Sequence, residues 1–324
     1  MSVLRKVILI SCLVFLLAGC QAIIDRPQTI SPAPETPEQH ITPTRTASLN
    51  PTPIVTSLTP TKSLQGILVG AGDISICGQK GDDLTADLLA NIPGTIFTAG
   101  DNSNEDGTSY EYLNCFGPSW GRYLDRLYPS PGNHDYGTDN GSAYYDYFPT
   151  VAAVRGKGYY SYDIGSWHII ALNSVIDTSK DSLQVVWLRE DLASHPGLCS
   201  LAYWHHPRWT SGTSGDNGHT ATIWQILYDY DVDVVVNGNE HMYERFAPMD
   251  PAGMLDLEHG IREFVAGTGG VSHYLLGEIK TNSQLRDNTT FGVLKFTLYS
   301  DGYAWEFIPV DATGFTDSGT DSCH

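Results

Sequence analysis

Basic residues are scarce in this chain. Eighteen Lys and Arg stand against 37 Asp and Glu in 324 residues, a net charge of −19. A nucleic-acid surface needs a basic footprint over the phosphates, so that class of partner is excluded. Any phosphate the chain handles must meet positive charge from a source other than Lys and Arg. Charged residues of both signs reach only 17 %, below the ~25 % of ordinary soluble domains. Gly, Tyr, Thr and Ser fill the gap, a mix that suits a loop-rich extracytoplasmic protein. Six cysteines are too few for a small disulfide scaffold, and the lack of any Cys-x-x-Cys pair argues against a thiolate zinc site. Hydrophobic residues make up 41 %, enough for a globular core, so whole-chain disorder is excluded.

The amino terminus reads as an address. Arg5 and Lys6 precede Val7 to Leu17, an almost wholly apolar stretch of eleven residues, too short to span a ~30 Å bilayer core. Leu17-Ala18-Gly19-Cys20 follows, and small residues before a cleavage point mark a signal peptide. Residues 1–20 are therefore expected to be a signal peptide. Residues 21–64 carry eight prolines between Pro27 and Pro60 among many Thr and Ser. Arg26, Arg45 and Lys62 there balance Asp25, Glu35 and Glu38. Such a segment has almost nothing to bury and is expected to be an extended, disordered tether. The remaining residues, 65–324, form one domain. Its four cysteines, Cys77, Cys115, Cys199 and Cys323, form an even exported set that allows three disulfide connectivities. The expected pairing is Cys77 with Cys115 and Cys199 with Cys323.

From Gln65 onward, short apolar runs alternate with amphipathic segments. Ile67-Leu68-Val69, Thr95 to Thr98, Ser200 to Trp204 and Val232 to Val236 read as buried strands. Asp82 reads as a helix N-cap before Leu84, Leu88 and Leu89. Tyr110 to Leu127 reads as partly helical with a break at Gly117-Pro118. Ser182 to Ala193 and Thr220 to Tyr230 read as helices. Two hairpins are expected, across Ile164-Gly165-Ser166 and across Ser300-Asp301-Gly302. This is the pattern of an α/β core with added antiparallel strands. Polar residues fall where they matter: Asp73, Asp101, Asn133, His205 and His241 each follow the end of an apolar run. Open α/β sheets bind ligands along that edge. Each residue alone is an ordinary turn or hydrogen-bonding position; five in series point to one shared site.

Gly72-Asp73, Gly100-Asp101, Gly132-Asn133-His134-Asp135, His205-His206-Pro207 and Gly238-x-x-His241 resemble, in order and spacing, the calcineurin-like metallophosphoesterases. Tyr243-Glu244-Arg245, with Ser75 two residues after Asp73, is similar to the purple acid phosphatase branch. Leu17 to Cys20 likewise resembles the lipobox of bacterial lipoproteins. That resemblance implies lipidation at Cys20, the membrane being reached only through this anchor, and a place at the bacterial cell envelope or surface.

The family resemblance implies a four-layer α/β/β/α sandwich and hydrolysis of phosphate esters by a metal-activated hydroxide. Asp101 would bridge two metal ions, with Asp73 and His241 on the first and Asn133 and His205 on the second. Carboxylate, amide and imidazole without thiolate suit Fe, Zn or Mn. Two such ions would supply the missing positive charge. His134 would stabilise the phosphoryl oxygens or protonate the leaving group, while His206 and His219 would contact substrate. Glu244 and Arg245 would form a supporting ion pair. Two letters depart from the pattern. Asn104 stands where the branch has a ligating Tyr on the first metal, and Asn239 where it has a ligating His on the second. Amide oxygens are neutral and harder than imidazole, which shifts both sites toward oxygen-rich chemistry. A degenerate relative that binds a phosphorylated ligand or a single metal, and a surface module using the fold as a platform, are the alternative readings.

Overall fold

The computed structural model describes residues 62–149 and 154–324. The expected signal peptide, Cys20 and the expected tether up to residue 61 lie outside the described residues. Among the described residues no helix is long and apolar enough to cross a membrane.

Two sheets stack face to face. The first is six-stranded. It holds the parallel strands β1 (Leu64–Ala71), β2 (Thr95–Ala99) and β3 (Leu127–Ser130), joined by helix α1 (Gly81–Leu89) and the short α2 (Ser109–Glu111). The second is seven-stranded. After α3 (Ser142–Tyr147) come β4 (Tyr160–Ile164), β5 (Trp167–Ala171), α4 (Leu183–Ser194), β6 (Cys199–Trp204), α5 (Ala221–Asp229) and β7 (Val234–Asn237). β8 (Tyr243–Phe246), β9 (Arg262–Ala266) and β10 (Ser283–Asp287) complete it in the order β10-β8-β9-β7-β6-β5-β4. The chain then returns to the first sheet through β11 (Gly292–Tyr299), β12 (Gly302–Pro309) and β13 (Asp317–Ser322), giving β13-β12-β11-β1-β2-β3.

Period-two alternation sorts the side chains into layers. Leu68, Ile169, Leu201 and Val236 meet Phe296 and Trp305 between the sheets. Their neighbours Ile170, Ala202 and Val235 face outward onto Leu188 and Trp224 of α4 and α5. Val69 and Ala71 face the other way, onto Ala86, Phe116 and Trp120. The result is the expected α/β/β/α sandwich. Both hairpins form where expected, β4–β5 and β11–β12. Both expected disulfides form as well, Cys77–Cys115 and Cys199–Cys323. The second closes a loop of 124 residues and fastens the tail to the start of β6.

Asp82 is not the N-cap of α1. Lys80 holds that position, and Asp82 lies buried in the first turn, accepting from Ser119 Oγ at 2.7 Å. Its carboxylate still faces the positive helix end, but it is spent on a tertiary contact. The segment after β2 is partly helical as read. Thr108 and Glu111 form a reciprocal capping box, followed by a π turn over Tyr112–Phe116 and a 3-10 turn over Trp120–Tyr123.

One buried charge sits at the far end of the second sheet. His168 on β5 contacts Asp163 Oδ1 through Nδ1 at 2.9 Å and Asp191 Oδ2 through Nε2 at 2.8 Å. Two carboxylate acceptors require both nitrogens to donate, so the ring is an imidazolium. Burial opposes that charge, but Asp191 and Asp163 outweigh it and raise the pKa above the ordinary 6.5. A raised folded pKa gives stability that is complete below the unfolded value and is lost as pH rises through the folded one. Thermal melts of the wild type should therefore lose stability across that window above pH 6.5, and His168→Gln should flatten that loss. Parallel curves for the two proteins would refute the assignment.

Candidate metal centre

The site is assembled at the carboxyl edges of both sheets, which main-chain bonds lock together. Asp73 N donates to Gly100 O at 3.1 Å and Ile74 N to Asp101 O at 2.9 Å. Gly72 N reaches across to Ala266 O at 2.8 Å. Asp73 and Asp101, just past β1 and β2, both adopt left-handed backbone, with φ of 57° and 49°. Non-glycine residues held there mark an over-determined local structure and cluster at functional sites. Gly132 is required beside them, because a Cβ would stand 2.1 Å from Asp101 Oδ1.

Asp73, Asp101 and His205 are all buried, and each offers one ligand atom within 4.8 Å of the others. His205 binds Ala99 O through Nδ1 at 3.0 Å. Its buried Nε2 lies 3.1 Å from Asp101 Oδ2, with no aligned hydrogen-bond partner among the described residues. His241, at the end of the loop after β7, repeats the design. Its Nδ1 bonds Ser272 O at 2.8 Å and its Nε2 lies 3.2 Å from Asp73 Oδ1. Tyr274 stacks on its ring at 3.8 Å. An imidazole with one nitrogen tied to a backbone carbonyl and the other bare toward carboxylates is the usual preparation of a metal ligand. Burial disfavours charge on both members of the Asp101–His205 pair, but each charge holds the other. Asp101 stays below its usual range, and His205 is raised to about 9. A cation here would displace the His205 proton and be held by the same carboxylates. The donor set therefore fits metal ions of the borderline kind.

The remaining candidates surround this cluster. Asn104 is buried, and its Nδ2 lies 3.2 Å from Asp101 Oδ2 and 3.4 Å from Asp73 Oδ1, over both carboxylates. Asn239, at φ 65°, donates its main-chain N–H to Asp73 Oδ2 at 2.8 Å. Asn133 is exposed at the rim. His134 donates its main-chain N–H to Asp101 Oδ1 at 2.9 Å, and its Nε2 stands 4.0 Å from Asp101 Oδ2. The ring is fixed by Glu105 O, 2.6 Å from Nδ1. His206 meets Ser174 Oγ at 2.8 Å. Burial first and the His205 charge second lower its pKa to about 3, so it is neutral. His219 is exposed, with Nε2 held by Ile176 O at 2.9 Å. His206 and Asn239 line a cavity of about 310 Å³ with Ser214, Asp216 and Asn217, and His219 is not among its walls.

Glu244 and Arg245 do not pair. As neighbours on β8 they point to opposite faces. Glu244 is buried and accepts from Ser211 N and Oγ at 2.8 and 2.6 Å, while Arg245 Nε bonds Asp317 Oδ2 at 2.6 Å. Glu244 is one of three buried acids that hold the loop after His206, and the sequence reading missed the other two. Glu263 Oε1 receives the N–H groups of Arg208 and Trp209 at 2.9 and 3.3 Å, and Glu240 Oε1 that of Ser214 at 2.9 Å. Asp135 was also missed as a scaffold. It binds the loops after β2 and β3 together through Asn102, Ser103 and Gly132. Its only sequence signal was its place in Gly-Asn-His-Asp.

Residues 71–243, more than half of the chain, match the calcineurin-like phosphoesterase family. Purple acid phosphatase 15 of Arabidopsis thaliana is 28 % identical over 252 residues, covering 64 % of this chain and 46 % of its own length. Purple acid phosphatase 23 of the same plant is 29 % identical over 166 residues, covering 44 % and 36 %. The chain thus spans half or less of the length of these curated relatives. Among solved structures, the purple acid phosphatase PPD1 of yellow lupin superposes with a TM-score of 0.67 at 20 % identity, over 81 % of this chain and 54 % of that one. GAP50, the anchor in the inner membrane complex of Plasmodium, gives 0.61 at 14 % identity, over 80 % and 89 %. At these identities the two structures speak for the fold alone. The family match, the four-layer sandwich and the carboxylate–imidazole cluster at its strand ends agree: this chain belongs to the calcineurin-like phosphoesterase family.

Proposed function

We propose that this chain is a metal-dependent phosphoesterase that hydrolyses a phosphate monoester or diester, held at the bacterial cell envelope by lipidated Cys20. One observation carries the catalytic part. Asp73, Asp101, His205 and His241 converge from separate strand ends, and both imidazoles, each tied to a backbone carbonyl through Nδ1, turn Nε2 toward the carboxylates. Asp73 and His241 would hold one ion, His205 with Asn133 the other, and Asp101 would serve both. Two such cations, when bound there, would supply the positive charge this acidic chain lacks, polarising phosphoryl oxygens and acidifying water. The chain's own groups do the rest. Glu105 O fixes His134 through Nδ1, leaving its Nε2 as the atom that exchanges a proton with the phosphoryl or leaving oxygen. Neutral His206, oriented by Ser174, lines the substrate cavity.

A second reading rests on Asn104. Its amide spans Asp73 and Asp101, and as a donor it would satisfy the carboxylates in place of one ion. The protein would then bind one metal or a phosphorylated ligand without efficient turnover. Metal analysis of protein purified without chelators, together with turnover of an aryl phosphate, separates the two. Asn239→His provides the sharper form. Its main chain already lies against Asp73, so an imidazole there should raise occupancy toward two ions per chain and turnover by about tenfold or more, as second-site ligands and their supports command 10–100-fold effects. Wild type already loaded with two ions and fully active, with no gain in the variant, would end the second reading. Two ions per chain without turnover in either protein would end the first.

A further inference from the structure

A second cavity adjoins the one at the metal cluster, with Asp216 lining both. It measures about 350 Å³, within the ~300–1,000 Å³ range of ligand pockets. Its walls differ in kind. Where the site cavity presents His206, Ser214, Asn217 and Asn239, the neighbour presents Trp209, Phe246, Met249 and Met254, with Ala252 and Gly253. Phe246 and Met249 are buried, and Met254 is 61 % exposed at the mouth. Gly253 keeps the space open, since a Cβ there would press on the Trp209 ring at 3.1 Å. The Trp209 indole is fixed on one side by the stacked Arg208 guanidinium at 3.7 Å.

Charge narrows what such a space accepts. Lys280, the cation of this cavity, is already paired with Asp216 at 2.9 Å. Among the described residues no Lys or Arg lines the site cavity. An anionic tail would find no unmatched cation in either place, and the chain as a whole repels it. Apolar walls of Trp209, Phe246, Met249 and Met254 instead favour a ring system with little charge.

We infer that the Trp209–Phe246–Met249–Met254 cavity is the leaving-group subsite, and that the preferred substrates are phosphate esters of uncharged aromatic or bulky apolar alcohols. This rests on the phosphoesterase reading of the neighbouring cluster. The phosphate lies at Asn239 and His206, and the organic group passes Asp216 into the apolar cavity. Trp209 is three residues from His206, and buried Glu263, which receives the N–H groups of Arg208 and Trp209, holds the segment that joins the two walls.

The test uses metal-loaded full-length protein and compares 2-(1-naphthyl)ethyl phosphate with ethyl phosphate. Their alcohols leave with similar ease, so the ratio of kcat/KM reads binding of the organic group. A ratio of at least tenfold in wild type is expected. Ala252→Trp at the mouth, and separately Met254→Asp, should bring it to within twofold of one. Calorimetric binding of the matching phosphonates, which cannot be hydrolysed, should show the same preference and the same loss. Equal handling of both esters and both phosphonates by wild type would overturn the subsite while leaving phosphoester hydrolysis standing. A phosphonate preference that Ala252→Trp abolishes, without turnover of either ester, would retain the subsite and remove the hydrolase.

Discussion

Asp101→Asn is expected to strip more metal from the protein than Asp73→Asn or His205→Ala, and to lower kcat/KM by about 10³-fold or more, the scale at which metal-borne charge stabilisation is lost. Asp101 is where the two halves of the cluster meet. Its Oδ2 lies 3.1 Å from His205 Nε2, 3.2 Å from Asn104 Nδ2 and 4.0 Å from His134 Nε2, while Oδ1 receives the His134 main-chain N–H. The amide has the same shape, so Oδ1 can keep that backbone bond and the fold should survive. What disappears is the charge. That charge is also what overcomes burial and holds the proton on His205, so the variant should leave His205 neutral. Metal content per chain by mass spectrometry, with a melting curve as control for folding, provides the measurement. Equal metal loss from all three variants would mean that Asp101 does not bridge.

That such a residue could be picked out beforehand reflects how α/β sheets announce their edges. β1, β2, β6 and β7 are short apolar runs, and the polar letter that follows each run is where the strand ends and the candidate site begins. Asp73, Asp101, His205 and His241 were legible for that reason, and the structure brings them together. The stretch from Ala247 to Phe291 was not legible. β9 is buried throughout but carries Arg262 and Glu263 at its start, and β10 reads Ser-Gln-Leu-Arg-Asp, so neither shows apolar alternation. β13 has no apolar residue at all. It forms because β12 offers a paired edge and because Asp317 accepts from Tyr243, Arg245 and Trp305. Such partners are distant in sequence and no local pattern encodes them. The same holds for the three glutamates behind the loop after His206. Each is an unremarkable acid until the fold places backbone N–H or hydroxyl donors of that loop against it.

Asp135 is where that hidden scaffolding should have its largest effect on stability. Its buried carboxylate receives Gly132 N at 2.8 Å, Ser103 N at 3.1 Å, and Asn102 N and Nδ2 at 3.2 and 3.0 Å, with the Tyr112 hydroxyl as a further donor. Burial, and then the charge of Asp101, push its pKa up to about 6, against the pull of these donors. Asp135→Ala removes the acceptor and leaves the donors buried and unpaired. An orphaned buried donor costs about 1–3 kcal/mol, and partial relaxation keeps the sum below simple addition. The expected loss is about 3–5 kcal/mol, in the diagnostic tail of single substitutions. Asp135→Asn should lose less, about 1–3 kcal/mol, because one oxygen remains while the new Nδ2 turns its hydrogens toward N–H groups that need an acceptor. Denaturant unfolding of the metal-free protein reads the order directly, with alanine worst, asparagine between and wild type best. The two substitutions at Asp101 and Asp135 therefore separate by observable. The first should empty the site while the fold holds, and the second should loosen the loops after β2 and β3 before any metal is considered. An Asp135→Ala protein as stable as wild type would mean that those loops are held by the strands alone, and that the carboxylate is dispensable to the geometry it touches.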